Sequence, residues 1–190
     1  MVKNHNEVLY KNEQIETQRL ILRKFKISDT ADILEYGSDA ETLEHVGWPG
    51  LSTLEEAQAI IYDRYMARNG LWAIQITDTG KVIGLINLHL NHDHDKVALG
   101  YMINRQYWGM GYASEALKAV LYLCFEGLRV NRVEAEHYTG NPASGRVMEK
   151  VGMKREGVTA KSHLVKGVFR DVVLYGITWD DYFRPAVLDL

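Results

Sequence analysis

The amino-acid sequence predicts an α/β fold of the α+β type, in which about four helices flank one mixed sheet of about six to seven strands. Two β-rich runs, 71–77 and 82–90, are joined by a short link that contains Gly80, which is typical of an antiparallel hairpin. A third run, 97–103, precedes a long amphipathic helix and then the strand 132–138. A strand–helix–strand order indicates a parallel pair, so the sheet is expected to be mixed.

The remaining elements follow from local patterns. The run from Arg19 to Phe25 alternates as a strand does, and residues 30–36 follow a Ser-Asp helix cap. Apolar residues from Ala57 to Tyr65 form one stripe of a second helix. Asn and Pro begin another helix over 141–152, which a glycine ends, and the run 168–178 alternates as the last strand.

Length and composition limit the class of protein. A chain of 190 residues with 46% hydrophobic content predicts one domain, here 15–190, after an N-terminal lead-in over 1–14. The formal charge of −3 lacks the basic excess of a protein that binds nucleic acid. Cys124 is the only cysteine, which suits a reducing compartment. No apolar run has the length of a signal peptide core or a membrane span, so a cytoplasmic protein without a membrane partner is expected.

A glycine-rich turn, Trp108-Gly109-Met110-Gly111-Tyr112-Ala113, lies between the predicted strand 97–103 and the helix that follows it. Such a turn presents backbone N–H groups at the positive end of a helix, an arrangement that favours phosphate, and Arg105 adds a nearby cation. The alternative is a tight turn that needs glycine only for its φ angles. The turn alone therefore indicates phosphate binding without deciding the ligand.

Two longer segments narrow the class. They resemble segments of the GCN5-related N-acetyltransferases, and so does a third segment near the start of the chain. The two longer segments are YMINRQYWGMGYASEAL and VEAEHYTGNPASGRVMEKVGMKREG, and the third is IETQRLILRKFKISD. Within that family they are similar to the branch that acetylates the N-termini of ribosomal proteins. The resemblance implies the GNAT fold, with a sheet splayed at the parallel pair 97–103 and 132–138, and acetyl-CoA as cosubstrate. It also implies an amine acceptor, which the ribosomal branch takes from a protein N-terminus.

The resemblance also implies the cofactor-binding residues. The pyrophosphate would bind the loop amides of Gly109, Met110, Gly111, Tyr112, Ala113 and Ser114. The pantetheine arm would pair with the end of the preceding strand, at Tyr101, Met102 and Ile103. Asn141 would contact the thiol end of the cofactor. Trp108 stands where the family has Gln or Arg. A second register, which begins at Gln106, keeps that Gln but starts the helix too early.

Glu136 and Ser144 are the candidate catalytic residues. Glu136 matches the glutamate that acts as general base in a related subgroup, and Ser144 matches a serine proposed to protonate the leaving thiolate. Each has a structural alternative: Glu136 would pair with Arg132 or a lysine, and both Ser144 and Asn141 would simply begin a helix. The subgroup's acidic tyrosine is replaced by Met148.

Other features of the sequence favour different classes of protein or site. His89, His92 and His94 have metal-ligand chemistry, but they belong to a hairpin turn, and no metal is expected. A dinucleotide-dependent oxidoreductase is disfavoured because position 114 is Ser and an antiparallel hairpin precedes the loop. A non-catalytic CoA-binding module, a small amine or antibiotic as acceptor, and a homodimer formed through the C-terminal strand stay open.

Overall fold

The computed structural model describes residues 4–184; the start of the predicted lead-in and the end of the predicted domain lie outside them. The strands are β1 (Gln14–Glu16), β2 (Leu20–Arg23), β3 (Leu71–Ile76), β4 (Val82–Asn91), β5 (Lys96–Ile103), β6 (Arg132–Tyr138), β7 (Lys154–Val165) and β8 (Val168–Thr178). The α-helices are α1 (His5–Lys11), α2 (Thr30–Gly37), α3 (Ala40–Glu44), α4 (Leu54–Ile60), α5 (Tyr112–Tyr122), α6 (Pro142–Lys150) and α7 (Trp179–Phe183). Both α4 and α5 continue into a π-helical turn, over Ile61–Tyr65 and Leu123–Gly127. None of the helices in the described residues is long and apolar enough to cross a bilayer.

The strands form one mixed sheet in the order β1-β2-β3-β4-β5-β6-β8-β7. The pairs β1–β2, β2–β3 and β3–β4 are antiparallel, as are β6–β8 and β7–β8. β5 and β6 are parallel, and their ladder runs only from the pair Lys96–Arg132 to the pair Leu99–Ala135. Because β5 continues to Ile103 and β6 to Tyr138 beyond that ladder, the predicted splay of the parallel pair is confirmed.

The sheet has eight strands rather than the six to seven expected, and three short helices were not predicted either. β1 has three residues, and most of β7 is exposed, so neither strand shows an alternating apolar face. The helices α1, α3 and α7 have only five to seven residues each, too few for a helical stripe in the sequence. These elements depend on pairing and capping more than on their own periodicity.

The last strand does not offer the expected dimer edge. β8 lies between β6 and β7, so both of its sides are already hydrogen-bonded. A further chain can extend a sheet only at an edge strand, and at this end the edge strand is β7. A homodimer through the C-terminal strand would therefore have to form by a route other than extension of the sheet at β8.

The chain divides into two compact units. The first comprises the residues up to Asn87 together with Tyr101–Ala119. Its core is a set of buried side chains from α2, α4 and strands β3 to β5 with the segments beside them: Phe25, Ile33, Tyr36, Ala57, Ile61, Leu71, Ala73, Val82 and Met102. Beside this core Arg23 forms a two-pronged ion pair with Asp29, at 2.8 Å for each N···O contact, and both side chains are almost fully buried.

The second unit comprises Leu88–Gly100 and the described residues from Val120 onward. Its buried residues come from the end of the α5 segment and from β6 and β8, and include Phe125, Val133, Val172 and Ile177. Phe125 stacks on Tyr182, with 4.6 Å between ring centroids. This core includes Val133 of β6, the strand on which the candidate base Glu136 lies.

Candidate active site

The glycine turn adopts a backbone that only glycine adopts readily. Gly109 and Gly111 have φ angles of 76° and 85°, in the left-handed region. Helix α5 begins at Tyr112, directly after Gly111, so its first-turn amides point toward the turn. Because α5 begins at Tyr112, the match to the family motif that begins at Gln106 also agrees with the observed helix start. The predicted loop residues thus lie at a helix N-terminus, where the macrodipole favours an anion.

Trp108 is hydrogen-bonded to the segment that precedes the turn. Its indole N–H donates to the carbonyl of Ile103, at 2.7 Å, and its backbone N–H donates to Arg105, at 3.1 Å. These bonds close the segment that leads from the end of β5 to Gly109. The residue remains partly exposed, over 45% of its surface.

Arg19 and Glu115 form an ion pair beside the turn, and no pattern in the sequence predicted it. Arg19 Nε lies 2.7 Å from Glu115 Oε2, and Arg19 Nη1 donates to the carbonyl of Met110, at 3.0 Å. The guanidinium lies 4.5 Å from the centroid of the Tyr112 ring. Burial alone would raise the pKa of Glu115, but hydrogen bonds from Thr17 and Arg19 outweigh it and lower that pKa. Glu115 is therefore ionised at neutral pH.

Arg105, which the sequence offered as a cation for the phosphate, is engaged elsewhere. Its guanidinium lies 3.4 Å from carboxylate oxygens of both Asp39 and Glu41, and its backbone N–H donates to Thr42 Oγ1. The hydrogen bonds that Thr42 donates are the main reason that the pKa of Asp39 is lowered. Arg19 contacts the turn instead.

The end of β5 is fixed by a buried amide. Asn104 donates from Nδ2 to Glu35, at 2.7 Å, and its backbone N–H donates to Ile83, also at 2.7 Å. A hydrogen bond from Lys81 is the main cause of the lowered pKa of Glu35. A Cβ on Gly84 would lie only 2.1 Å from the Met102 carbonyl oxygen, so β4 approaches this end of β5 very closely. The predicted pantetheine strand is thus rigidly held on its β4 side.

In the second unit, Asn141 is the N-cap of α6, as its structural alternative predicted. Its Oδ1 accepts from the backbone N–H of Ser144, at 3.2 Å, and Pro142 occupies the first turn. A Cβ on Gly145 would lie 2.8 Å from His137 Nε2 and 2.7 Å from the Tyr175 hydroxyl, so both side-chain ends lie close against the backbone of α6. Because Asn141 caps α6 and Ser144 lies in its first turn, both residues are at the same helix N-terminus.

Glu136 has neither of the partners that its structural alternative predicted. Glu136 Oε1 lies 3.2 Å from His163 Nε2, and both side chains are nearly half exposed. Arg132 pairs instead with Glu134 and Glu156, and Lys96 pairs with Glu134. Glu134 is thus tied to two cations, whereas Glu136 faces a histidine.

The histidines, the cysteine and Met148 were the other features that the sequence raised as possible sites. Among residues 4–184, no group of three or more His, Cys, Asp or Glu side chains is arranged to hold a metal ion. Cys124 is fully buried, and burial raises the pKa of its thiol far above the usual range. Met148 is buried in α6, where the related subgroup carries its acidic tyrosine.

The splayed parallel pair and the glycine turn at the start of α5 define the class of protein, an acyltransferase on an acetyltransferase fold. A family model described as "Acetyltransferase (GNAT) domain" matches residues 19–154, so the chain belongs to the GNAT family. It is an N-acetyltransferase, and acetyl-CoA is its cosubstrate.

Three relatives support the assignment. YoaA of Bacillus subtilis, an uncharacterized N-acetyltransferase, is 32% identical over 86% of this chain and 95% of its own. A GNAT-family acetyltransferase from Bacillus anthracis has a solved structure that superposes with a TM-score of 0.80 at 29% identity, covering 88% of this chain and 99% of the other. The alanine N-acetyltransferase of ribosomal protein uS5 from Escherichia coli is 28% identical over 55% of each chain.

Proposed function

We propose that this acetyltransferase modifies the N-terminal amine of a protein, and that the acceptor resembles the N-terminus of a ribosomal protein. The observation that carries the proposal is the similarity to the Escherichia coli enzyme that acetylates an alanine of uS5. A cytoplasmic setting, expected from the sequence, is part of the same proposal, and so is a homodimer.

The pyrophosphate of the cofactor is assigned to the glycine turn of the first unit. The amides of Gly109–Ser114 bind the pyrophosphate, because they lie at the positive end of α5 and the two glycines leave no side chain over them. The backbone of Tyr101–Ile103 pairs with the pantetheine arm, since a strand end binds an extended amide-bearing chain through main-chain hydrogen bonds. Asn141 contacts the thiol end of the cofactor while it also caps α6.

Glu136 acts as the general base. An amine attacks a thioester only when it is neutral, so a group must take its proton as the bond forms. Glu136 suits this role better than Glu134, because Glu134 is bound to Lys96 and Arg132 while Glu136 faces His163. The carboxylate of Glu134 is already engaged by these two cations, which leaves its oxygens less accessible to an acceptor amine.

Ser144 protonates the leaving thiolate. It lies in the first turn of α6, three residues after the capping Asn141, in a position where a hydroxyl can serve a group bound at the helix start. Met148 has no proton to give, so the role assigned to a tyrosine in the related subgroup falls to Ser144.

Transfer occurs by direct attack of the amine on acetyl-CoA in a ternary complex. A covalent acetyl-enzyme would need an activated nucleophile such as a thiolate. The only cysteine, Cys124, is buried and has a raised pKa, so this thiol is neither accessible nor ionised.

The proposal is tested with a panel of acceptors. The panel contains peptides with a free N-terminus, the same peptides with a blocked N-terminus and one lysine, and small amines that include a polyamine and an aminoglycoside. Release of free CoA thiol and the mass of each acceptor are measured. We expect acetylation of free N-termini only. Acetylation confined to the lysine or to small amines would overturn the acceptor class, and CoA binding without thiol release would indicate a non-catalytic module.

A matched pair of variants tests the base. Glu136→Gln and Glu134→Gln remove one carboxylate each from the same strand, two residues apart. We expect only Glu136→Gln to lower kcat, while the KM for acetyl-CoA stays the same in both. An equal loss of kcat in the two variants would reject Glu136 as the base.

A further inference from the structure

The cofactor turn contains two residues that give its backbone freedom. Gly109 and Gly111 flank Met110, both with positive φ, and nothing lies within 4 Å of a Cβ built on Gly109. The two peptide planes beside Met110 each adjoin one of these glycines and can rotate readily, since glycine populates both halves of φ space. An anion site made of backbone amides loses affinity if those amides must be ordered on binding. The turn therefore needs a contact that fixes its peptide planes.

Arg19 makes that contact. Its Nη1 donates to the carbonyl oxygen of Met110, at 3.0 Å. In a trans peptide the C=O and the following N–H point in opposite directions, so the N–H of Gly111 is directed away from the guanidinium. A rotation of this peptide plane would break the hydrogen bond to Arg19 and turn the Gly111 amide with it.

Arg19 is itself held in place by several contacts. Its Nε binds Glu115 Oε2 at 2.7 Å, and its backbone N–H binds Glu115 Oε1 at 2.8 Å. Thr17 donates to the same Oε1, at 2.7 Å, and the guanidinium stacks over Tyr112. An arginine fixed at both its backbone and its side chain loses little further freedom when it holds the turn.

Glu115 belongs to the first turn of α5, whose amides would receive the phosphate. A free carboxylate there would repel a pyrophosphate, but Arg19 neutralises Glu115 and occupies its oxygens. The pair thus removes an unfavourable charge and orients the turn with the same set of contacts.

We propose that Arg19, held by Glu115, is a positioning residue that preorganises the turn 109–111 for the pyrophosphate of acetyl-CoA. The inference rests on the proposed assignment of this turn to the cofactor. It adds a residue some ninety positions away in sequence, on the segment that leads into β2, to the machinery that binds the cofactor.

Two substitutions separate orientation from simple charge. Arg19→Gln removes the cation, whereas Arg19→Lys keeps the charge but lacks the fork that reaches Glu115 and Met110 together. Lys118→Gln is the matched control, because it removes an exposed cation from α5 one turn further along. Two thioesters are compared, acetyl-CoA and S-acetylpantetheine, since the second lacks the pyrophosphate.

We expect both Arg19 variants to raise the KM for acetyl-CoA, and the calorimetric Kd for CoA, by roughly 10–100-fold, which corresponds to one hydrogen bond to a charged group. The preference in kcat/KM for acetyl-CoA over S-acetylpantetheine should fall by a similar factor, and kcat at saturation should change little. Lys118→Gln should leave the Kd for CoA and this preference within about twofold of wild type.

Three results would overturn the inference while the proposed function stands. They are wild-type CoA affinity in Arg19→Gln, full recovery of affinity in Arg19→Lys, and equal losses of activity with both thioesters. The last result would indicate a general structural defect. If the wild-type chain bound no CoA in the calorimeter, the proposed function itself would fail, and this outcome is distinct because it does not depend on any variant.

Discussion

Gly84 lies where β4 passes closest to the end of β5, and replacing it with alanine is expected to force the two strands apart. The new Cβ would lie 2.1 Å from the Met102 carbonyl oxygen and 3.0 Å from Ile103 Cα. The shortest ordinary carbon–oxygen contacts are about 3.3 Å, so the backbones must separate by roughly 1.2 Å. That movement would also break the hydrogen bond from the Asn104 N–H to Ile83, now 2.7 Å.

The expected loss of stability follows from these two effects. Overpacking in a tight interior costs about 1–3 kcal/mol, and leaving a buried backbone pair unsatisfied costs about 1–3 kcal/mol more. We therefore expect Gly84→Ala to lower the free energy of unfolding by about 2–6 kcal/mol, or Tm by roughly 5–20 °C for a chain of this size. Urea and thermal unfolding followed by circular dichroism measure both quantities.

Gly157 in β7 provides the matched control. No atom lies within 4 Å of a Cβ built on Gly157, so Gly157→Ala should change the free energy of unfolding by less than about 0.5 kcal/mol. If Gly84→Ala were as stable as Gly157→Ala, the close approach of β4 to β5 would be refuted, together with the rigidity of the strand assigned to the pantetheine arm.

Ion pairing, proton transfer and thiol burial give three further predictions. Asp29→Ala leaves the buried Arg23 without its carboxylate partner and should cost about 3–5 kcal/mol in urea unfolding, whereas Glu7→Gln, in an exposed pair, should leave the urea midpoint nearly unchanged; equal shifts would contradict the burial of the first pair. Glu136→Gln should lower kcat/KM by about 10²–10⁴-fold near neutral pH, and the deficit should shrink as pH rises because the acceptor amine then loses its proton without help. A deficit independent of pH would refute general-base catalysis. Iodoacetamide should leave the native enzyme active and modify Cys124 only after unfolding, because the thiol is buried with a raised pKa; inactivation in step with alkylation of the native chain would refute this.

The long regular elements could be predicted from sequence because their residues repeat with the period of the element. The runs 71–77 and 82–90 and the apolar stripe of α5 match β3, β4 and α5 closely. β7 could not be predicted in this way, because its side chains are exposed along most of its length and its place depends on pairing with β8. Likewise α3 depends on one cap, the bond from Thr42 N to Asp39, at 3.0 Å.

The candidate site was predictable only where one segment carries the chemistry. The glycines of the turn and the cap at Asn141 are local signals, and both lie at helix starts in the structure. Partners that meet from distant parts of the chain gave no such signal. Arg19 and Glu115 are 96 residues apart, and nothing in the sequence indicated that Arg105 would face Asp39. Charge pairing of this kind is decided by the fold and not by the local pattern.

In the proposed reaction the acetyl group passes from acetyl-CoA directly to an acceptor amine. A single-turnover, rapid-quench experiment with acetyl-labelled acetyl-CoA, enzyme in excess and the best peptide of the acceptor panel tests it most directly. We predict that label reaches the peptide N-terminus in one phase, in step with release of CoA thiol, and that without peptide the enzyme carries no label. Label on the enzyme before the peptide, or thiol release that does not match acetylated peptide, would contradict direct transfer.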